Sequence, residues 1–502
     1  MVLLDDHMNG GMSEEYSALQ MGSLVKFRTP VSSVYGVVSG LSIPIPARES
    51  NENEMKIVEL ELLGEAETPA EGTNAVFQRG VSIFPLLGDS ALASAQEDLA
   101  RVYACRATSN VQIGTLYQDR AVPAFITIDD LLGKHFAIVG STGTGKSCGV
   151  ALIVRAILSR HAKGHVLVLD PHNEYARAFG DSAEVLDTRT LQLPYWLLTF
   201  DEFVETLFGA KTRDRESEIA ILGDLIVAAK QNFPGNTENG AVLTVDTPIP
   251  YRIGDLVRMI DETMGKLDRP ETSAPYMRIK SRLNNLQTDQ RYAFMFPGLA
   301  VRDNMASILS RIFRLPVEDR PVTIVDLSGV PSEILNVVVS VLARMTFDFV
   351  LWSDRETPIL LVCEEAHRYM PQDTRLGFEP TKKALSRIAK EGRKYGVSMC
   401  LVSQRPSELA IGTLSQCNTI FAMRLSNQKD QEFVRGALAE SAIGLLDFLP
   451  SLRNAEAIVV GEGVSVPVRM CFEELPDDCR PMSGTASFST AWETDAQSDI
   501  DA

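Results

Sequence analysis

The residues best equipped for chemistry are Gly140-Ser141-Thr142-Gly143-Thr144-Gly145-Lys146-Ser147, which meet every fixed position of the G-x-x-x-x-G-K-[ST] phosphate-loop pattern. Glycines at this spacing let backbone N–H groups converge on a polyphosphate, and a following helix N-terminus adds partial positive charge. Lys146 has the reach for the β- and γ-phosphates, and Ser147 supplies a hydroxyl for Mg²⁺. Thr142, Gly143, Thr144, Gly145 and Cys148 complete the expected nucleotide cradle. Residues 135–139 form a short apolar run that reads as a buried strand, and 148–158 read as a helix. Strand, glycine loop and helix is the order this chemistry needs.

Acids come next. Residues 358–363 read as a buried strand that delivers Glu364-Glu365-Ala366-His367. Two acids at the C-terminal end of a parallel strand sit where open α/β sheets bind ligands. The first, Glu364, is expected to hold Mg²⁺ directly or through water, and the second, Glu365, to polarise the attacking water as general base. Most phosphate-loop ATPases have Asp at the first position, so Glu364 is a departure. Asp170 ends another apolar run and is followed by Pro171-His172-Asn173-Glu174-Tyr175. It fits two roles equally, a holder of the catalytic water or a turn-capping acid. Gln404, in Ser403-Gln404-Arg405-Pro406 after the run 397–402, is an amide placed to sense a γ-phosphate. Upstream, 382–395 reads as a helix closed by Gly396, with Arg387, Lys390, Arg393 and Lys394 near one face. Such a face is either solvated or presents an arginine finger to a neighbouring subunit, with Arg393 the first choice and Arg387 the second. Asp326-Leu327-Ser328-Gly329 matches the D-x-x-G element of GTPases, but no Asn-Lys-x-Asp follows to read guanine, so a strand and turn is the better reading.

These residues need a frame. The candidate strands 135–139, 165–169, 322–326, 358–363, 397–402 and 419–424 alternate with helical stretches, as in a doubly wound parallel sheet. Residues 111–132 read as a strand pair leading into the phosphate loop. Between 191 and 315 the strand signal fades and 200–208, 215–230, 253–267 and 273–286 read as helices, a helical insertion. Before the core, 22–99 carry short apolar runs punctuated by Gly, Pro and Asn, the spacing of a small β-barrel, and 91–103 read as a linking helix. Residues 1–21 are expected to be a loose arm. Residues 483–502 lack Lys and Arg and are expected to be a disordered acidic tail.

Composition narrows the function. The net charge of −18 argues against a surface that coats nucleic acid by bulk positive charge. A narrow basic channel stays compatible with it, because exposed charges beyond about 8–10 Å are screened. Seven scattered cysteines without a Cys-x-x-Cys pair suit a reduced cytoplasm, and the six histidines lack zinc-site spacing. No apolar run reads as a membrane span and no export signal is seen, so a cytoplasmic protein without membrane contact is expected.

Taken together, these motifs resemble the HerA family of hexameric DNA translocases, in the FtsK–HerA branch of RecA-like ATPases. The resemblance runs from about residue 22 to 472. It includes Gly80-Val81-Ser82-Ile83-Phe84-Pro85-Leu86-Leu87-Gly88, Asp170-Pro171-His172-Asn173-Glu174-Tyr175, Pro194-Tyr195-Trp196-Leu197-Leu198, Glu364-Glu365-Ala366-His367-Arg368, Glu391-Gly392-Arg393-Lys394-Tyr395-Gly396 and Ser403-Gln404-Arg405-Pro406. It implies an α/β RecA-like core split as 111–190 and 316–482, an N-terminal barrel of HAS type over 22–110, and the insertion 191–315. It also implies a homohexameric ring that hydrolyses ATP with Mg²⁺ and threads double-stranded DNA through its pore. Gly461-Glu462, after an apolar strand, is implied to touch nucleotide across the ring. A separate partner is implied on the barrel face: a NurA-type nuclease in DNA repair, or a Sir2-like effector in antiviral defence. Lys211, Arg213, Arg215, Arg368, Arg375, Lys382 and Lys383 are candidates for pore contacts, though each reads better as a surface or interface charge. The alternative is a ring scaffold whose ATP state gates an effector without DNA movement.

Overall fold

The computed structural model describes residues 2–4, 20–42, 56–67, 75–86, 88–104, 108–209, 215–234, 242–266, 270–296, 305–438 and 443–482. The expected tail 483–502, most of the arm, and the pore candidates Lys211 and Arg213 lie outside these residues.

The N-terminal strands are β1 (Val2–Leu4), β2 (Leu24–Arg28), β3 (Ser32–Ser42), β4 (Lys56–Glu67), β5 (Phe77–Arg79) and β6 (Ala91–Ala93). They form an antiparallel sheet in the order β1-β4-β3-β2-β6, with β5 on β4. Among the described residues these ladders form an open path, with no pairing between β1 and β6. Two expectations are corrected here. The stretch read as a loose arm begins with β1, which pairs with β4 through Val2 and Val58. The stretch 91–103 is a strand and then the helix Gln96–Val102, because Ala91–Ala93 finds an edge partner in β2.

The second sheet has eleven strands in the order β11-β12-β10-β13-β14-β9-β15-β16-β17-β7-β8. These are β7 (Asn110–Leu116), β8 (Pro123–Thr127), β9 (His135–Val139), β10 (His165–Asp170), β11 (Ala183–Leu186), β12 (Val322–Asp326), β13 (Ile359–Cys363), β14 (Val397–Ser403), β15 (Cys417–Ala422), β16 (Glu456–Gly461) and β17 (Val468–Phe472). From β11 to β15 the pairing is parallel, and from β15 to β8 antiparallel. Strands β9, β13 and β14 are buried at every position, which is why they read as unbroken apolar runs rather than alternating ones. Residues 111–132, read as a strand pair, are β7 and β8 followed by a short helix, Ile128–Leu132.

The insertion between β11 and β12 holds the helices Phe200–Phe208, Glu216–Asn232, Ile253–Met264, Pro270–Thr288 and Met305–Phe313. Thr199 caps the first, accepting from Glu202 N while Glu202 reaches back to Thr199 N. Glu202 also anchors the insertion to the core, accepting from Ser340 Oγ at 2.6 Å and Arg344 at 3.0 Å. Both partners lie on the helix Ser332–Trp352. Its stretch Ile334–Trp352 has a mean hydropathy of 1.8 and is long and apolar enough to cross a membrane. Packing against the sheet and against the helix Glu379–Tyr395 accounts for that composition, since a core helix is apolar on several faces.

Candidate active site

The phosphate loop begins where β9 ends. Gly140 N donates to Ser403 O, and Ser141 N donates to Arg424 O at 2.8 Å, so strands on both sides fix its entry. Gly143 (φ +76°) and Gly145 (φ +101°) take the left-handed backbone that the tight turn of the loop requires. A Cβ on Gly140 would come within 2.8 Å of Met423 Cβ, so close packing dictates glycine there as well. Thr144 is fully buried, its hydroxyl donating to Ser141 O and its own carbonyl accepting from Ala455 N. The helix Lys146–Arg160 starts at once behind Gly145.

Four other strand ends meet this loop on the same edge. Ser147 Oγ donates to Glu174 Oε2 at 2.6 Å. Lys146 Nζ donates to Ser141 O at 3.1 Å, and burial pushes its pKa down against the pull of Glu364, Glu365 and Glu174. Glu364 is buried and accepts from the Tyr175 hydroxyl. Its pKa rises to about 8, first through burial and then through Glu365 and Glu174 close by. Glu365 is buried in left-handed backbone (φ +52°), and its Oε2 has no hydrogen-bond partner. Gln404 Oε1 accepts from the Thr142 hydroxyl at 2.6 Å, so the amide sits directly over the loop.

Asp170 has the contacts of a turn-capping acid. It is fully buried and accepts from Tyr175 N at 2.9 Å and His172 N at 3.2 Å, so its oxygens hold the 171–175 turn. That turn presents Glu174, to which sequence reading assigned no role. The available signal was a further acid within a short polar turn on the edge already marked by Asp170. Cys148 lies just inside the helix, half-buried, with its thiol pKa raised by burial.

The remaining candidates lie elsewhere. Arg393 is exposed near the end of its helix and, with Glu356 and the starts of β10, β13 and β14, lines a groove of about 830 Å³ at the opposite edge of the sheet. Arg387 stacks over the Phe347 ring at 4.1 Å and pairs with Asp348 at 3.6 Å. Gly461 pairs with Thr419 near the start of β15, and Glu462 is bound by Lys134 and by Asn418 Nδ2. Neither Arg393 nor Gly461-Glu462 approaches the loop of its own chain.

The residues at the loop fit a magnesium ion. A hydroxyl and two carboxylates converge where burial, and then neighbouring acids, raise Glu364, and among the described residues no cluster of three or more His, Cys, Asp or Glu forms a complete metal cage. That is the donor set of an ion that takes few protein ligands and completes its shell with water and phosphate.

Comparison with known proteins agrees with this geometry. Residues 111–346 match the family model described as the central domain of helicase HerA. The DNA double-strand break repair helicase HerA of Pyrococcus furiosus is 24% identical over 497 residues, covering 91% of this chain and 85% of that protein. The protein of the same description from Sulfolobus acidocaldarius is 25% identical over 395 residues, covering 76% and 72%. Among solved structures, VirB4 of Thermoanaerobacter pseudethanolicus superposes with a TM-score of 0.52 at 17% identity, over 74% of this chain and 98% of that one. This last likeness concerns the RecA-like fold alone.

Proposed function

The chain belongs to the HerA helicase family, and on that premise we propose that it is an ATP-driven translocase of double-stranded DNA, working as a homohexameric ring in the cytoplasm. It is a phosphate-loop ATP hydrolase. The observation that carries the reading is the convergence of Lys146, Ser147, Glu174, Glu364, Glu365 and Gln404 on one sheet edge. Lys146 and the loop N–H groups bind the β- and γ-phosphates of ATP. Ser147, with Glu174 and Glu364 behind it, holds Mg²⁺, which when bound neutralises developing phosphate charge. Glu365 orients water and takes its proton, and Gln404 contacts the γ-phosphate. Arg393 serves a neighbouring protomer's nucleotide as an arginine finger, and Gly461-Glu462 lies near that same junction. A separate nuclease of NurA type, or a defence effector such as a Sir2-like enzyme, docks on the N-terminal sheet.

The test is the ATPase rate with and without linear double-stranded DNA, for the native chain and Glu365→Gln, across a salt series. Stimulation that fades with salt and is lost in the variant supports the translocase. A rate indifferent to DNA but lost in the variant moves the reading to an ATP-gated ring scaffold that regulates its effector without moving DNA.

A further inference from the structure

Glu365 is bracketed by two imidazoles. His172 Nε2, on the turn after β10, lies 3.8 Å from Oε1, beyond hydrogen-bond distance. His367 Nδ1 lies 3.2 Å from Oε2, the buried oxygen without a hydrogen-bond partner. The same Nδ1 is also 3.2 Å from Ser403 Oγ, the last residue of β14 and the neighbour of Gln404. Ser403 Oγ in turn accepts from Arg405 N at 3.1 Å. One ring nitrogen therefore stands between the carboxylate at the base position and the strand end that carries the amide over the phosphate loop.

A ring nitrogen carries either a hydrogen or a lone pair, so it serves one partner at a time. With a hydrogen, Nδ1 donates to Glu365 and fixes its carboxylate. With a lone pair, it accepts from the Ser403 hydroxyl and leaves the carboxylate to the water. His367 also lines a surface groove of about 580 Å³ with Arg368, Gln372, Leu376, Ser407 and Glu408. Burial lowers the imidazole pKa, which favours the neutral ring, and a neutral ring carries its hydrogen on one nitrogen only.

We propose that His367 is a positioning residue that couples the Ser403-Gln404 strand end to the Glu365 carboxylate, so that the base is aligned only when Gln404 is engaged. The proposal deepens the ATPase reading above and rests on it. Nothing in it requires His367 to touch nucleotide or water.

The experiment is a double-mutant cycle on ATP turnover, with Mg·ADP binding measured in parallel on the full chain. His367→Ala and Ser403→Ala should each lower kcat about tenfold, with ADP affinity unchanged within about twofold. The double variant should cost no more than the worse single one, because the two residues act in series. His367→Asn, whose amide nitrogen occupies the Nδ1 position, should recover kcat to within about threefold, and His367→Gln, which reaches the Nε2 position instead, should not. Additive losses, equal behaviour of Asn and Gln, or ADP affinity falling in step with kcat would each overturn the proposal. If His367→Ala does not fold, the Asn–Gln comparison still decides. A native chain without turnover, or a Glu365→Gln chain that keeps it, instead sinks the ATPase reading itself.

Discussion

The two edges of the large sheet are built from the same strands and do opposite things with charge. At the edge where the parallel strands end, four loops bring Lys146, Ser147, Glu174, Glu364, Glu365 and Gln404 together, and burial, with Glu365 and Glu174 adding to it, raises Glu364 to about 8. At the edge where they begin, charge is exposed or paired: Arg393 faces a groove, and Glu462 is held by Lys134 and Asn418. The strands are five to seven residues long, so the edges stand roughly 15–23 Å apart at about 3.3 Å per residue. Direction sorts them. Parallel strands put every C-terminus on one side, whereas antiparallel β16 and the helix Glu379–Tyr395 run back and deliver their C-termini to the other. Buried, closely spaced acids mark the first edge, and exposed or paired charges mark the second.

The strongest way to break this contrast is to remove the base. Glu365→Gln keeps the shape and the left-handed turn but cannot take a proton, and ATP turnover should fall about 10³-fold or more while Mg·ATP still binds. A phosphate-release assay beside nucleotide binding checks both halves. If turnover survives, Glu365 is not the base and the converging edge loses its assigned chemistry.

Arg393→Ala tests whether the far edge acts in catalysis at all. As a finger for a neighbour, Arg393 should be worth roughly 10³-fold in kcat. The distinguishing result is complementation. Mixing Arg393→Ala with Lys146→Ala chains pairs an intact loop from the first with an intact arginine from the second, so activity should return in mixed rings and in neither parent. No recovery would make Arg393 a solvated charge. Arg387, already stacked on Phe347 and paired with Asp348, should change turnover far less when replaced by Lys.

Most of the converging edge was legible because its signals are local: a glycine loop, paired acids after an apolar run, an amide after another. What was not legible depends on pairing across long sequence distance. Glu174 acquires meaning only when Ser147, on a different strand's loop, lies 2.6 Å away. His367 matters only because β13 and β14 are neighbours, which brings Ser403 to its ring. Asp170 offers two roles in the sequence, and only the fold shows the backbone donors of His172 and Tyr175 on its oxygens. At the N-terminus, alternation gave strands, but whether they close into a barrel is a matter of register and curvature that periodicity does not encode.

Glu174→Gln sharpens the converging edge at its least expected member. The amide keeps a partner for Ser147 but removes one negative charge beside the magnesium position. Turnover at saturating Mg²⁺ should fall about tenfold, and the Mg²⁺ concentration for half-maximal rate should rise, a shift that a purely structural defect would not produce. A magnesium titration at fixed ATP separates the two. An unchanged half-maximal concentration would return Glu174 to the status of a turn residue.

The smallest effect is expected at Glu462, and its size is what makes it informative. Gly461 has a reason to be glycine that involves no nucleotide: at φ +134°, an added Cβ would sit 2.0 Å from Asn418 O. The Gly-Glu pair after an apolar strand is therefore explained by backbone approach in Gly461 and by the Lys134 pair in Glu462. With half of the Glu462 side chain exposed, that ion pair contributes no more than about 1 kcal/mol, so Glu462→Gln should shift thermal unfolding only slightly. If Glu462 serves its own chain alone, turnover should stay within about twofold of native. A drop of tenfold or more at unchanged stability would mean that a neighbour's nucleotide feels this carboxylate, and the edge that looks satisfied within one chain would be half of a site completed between two.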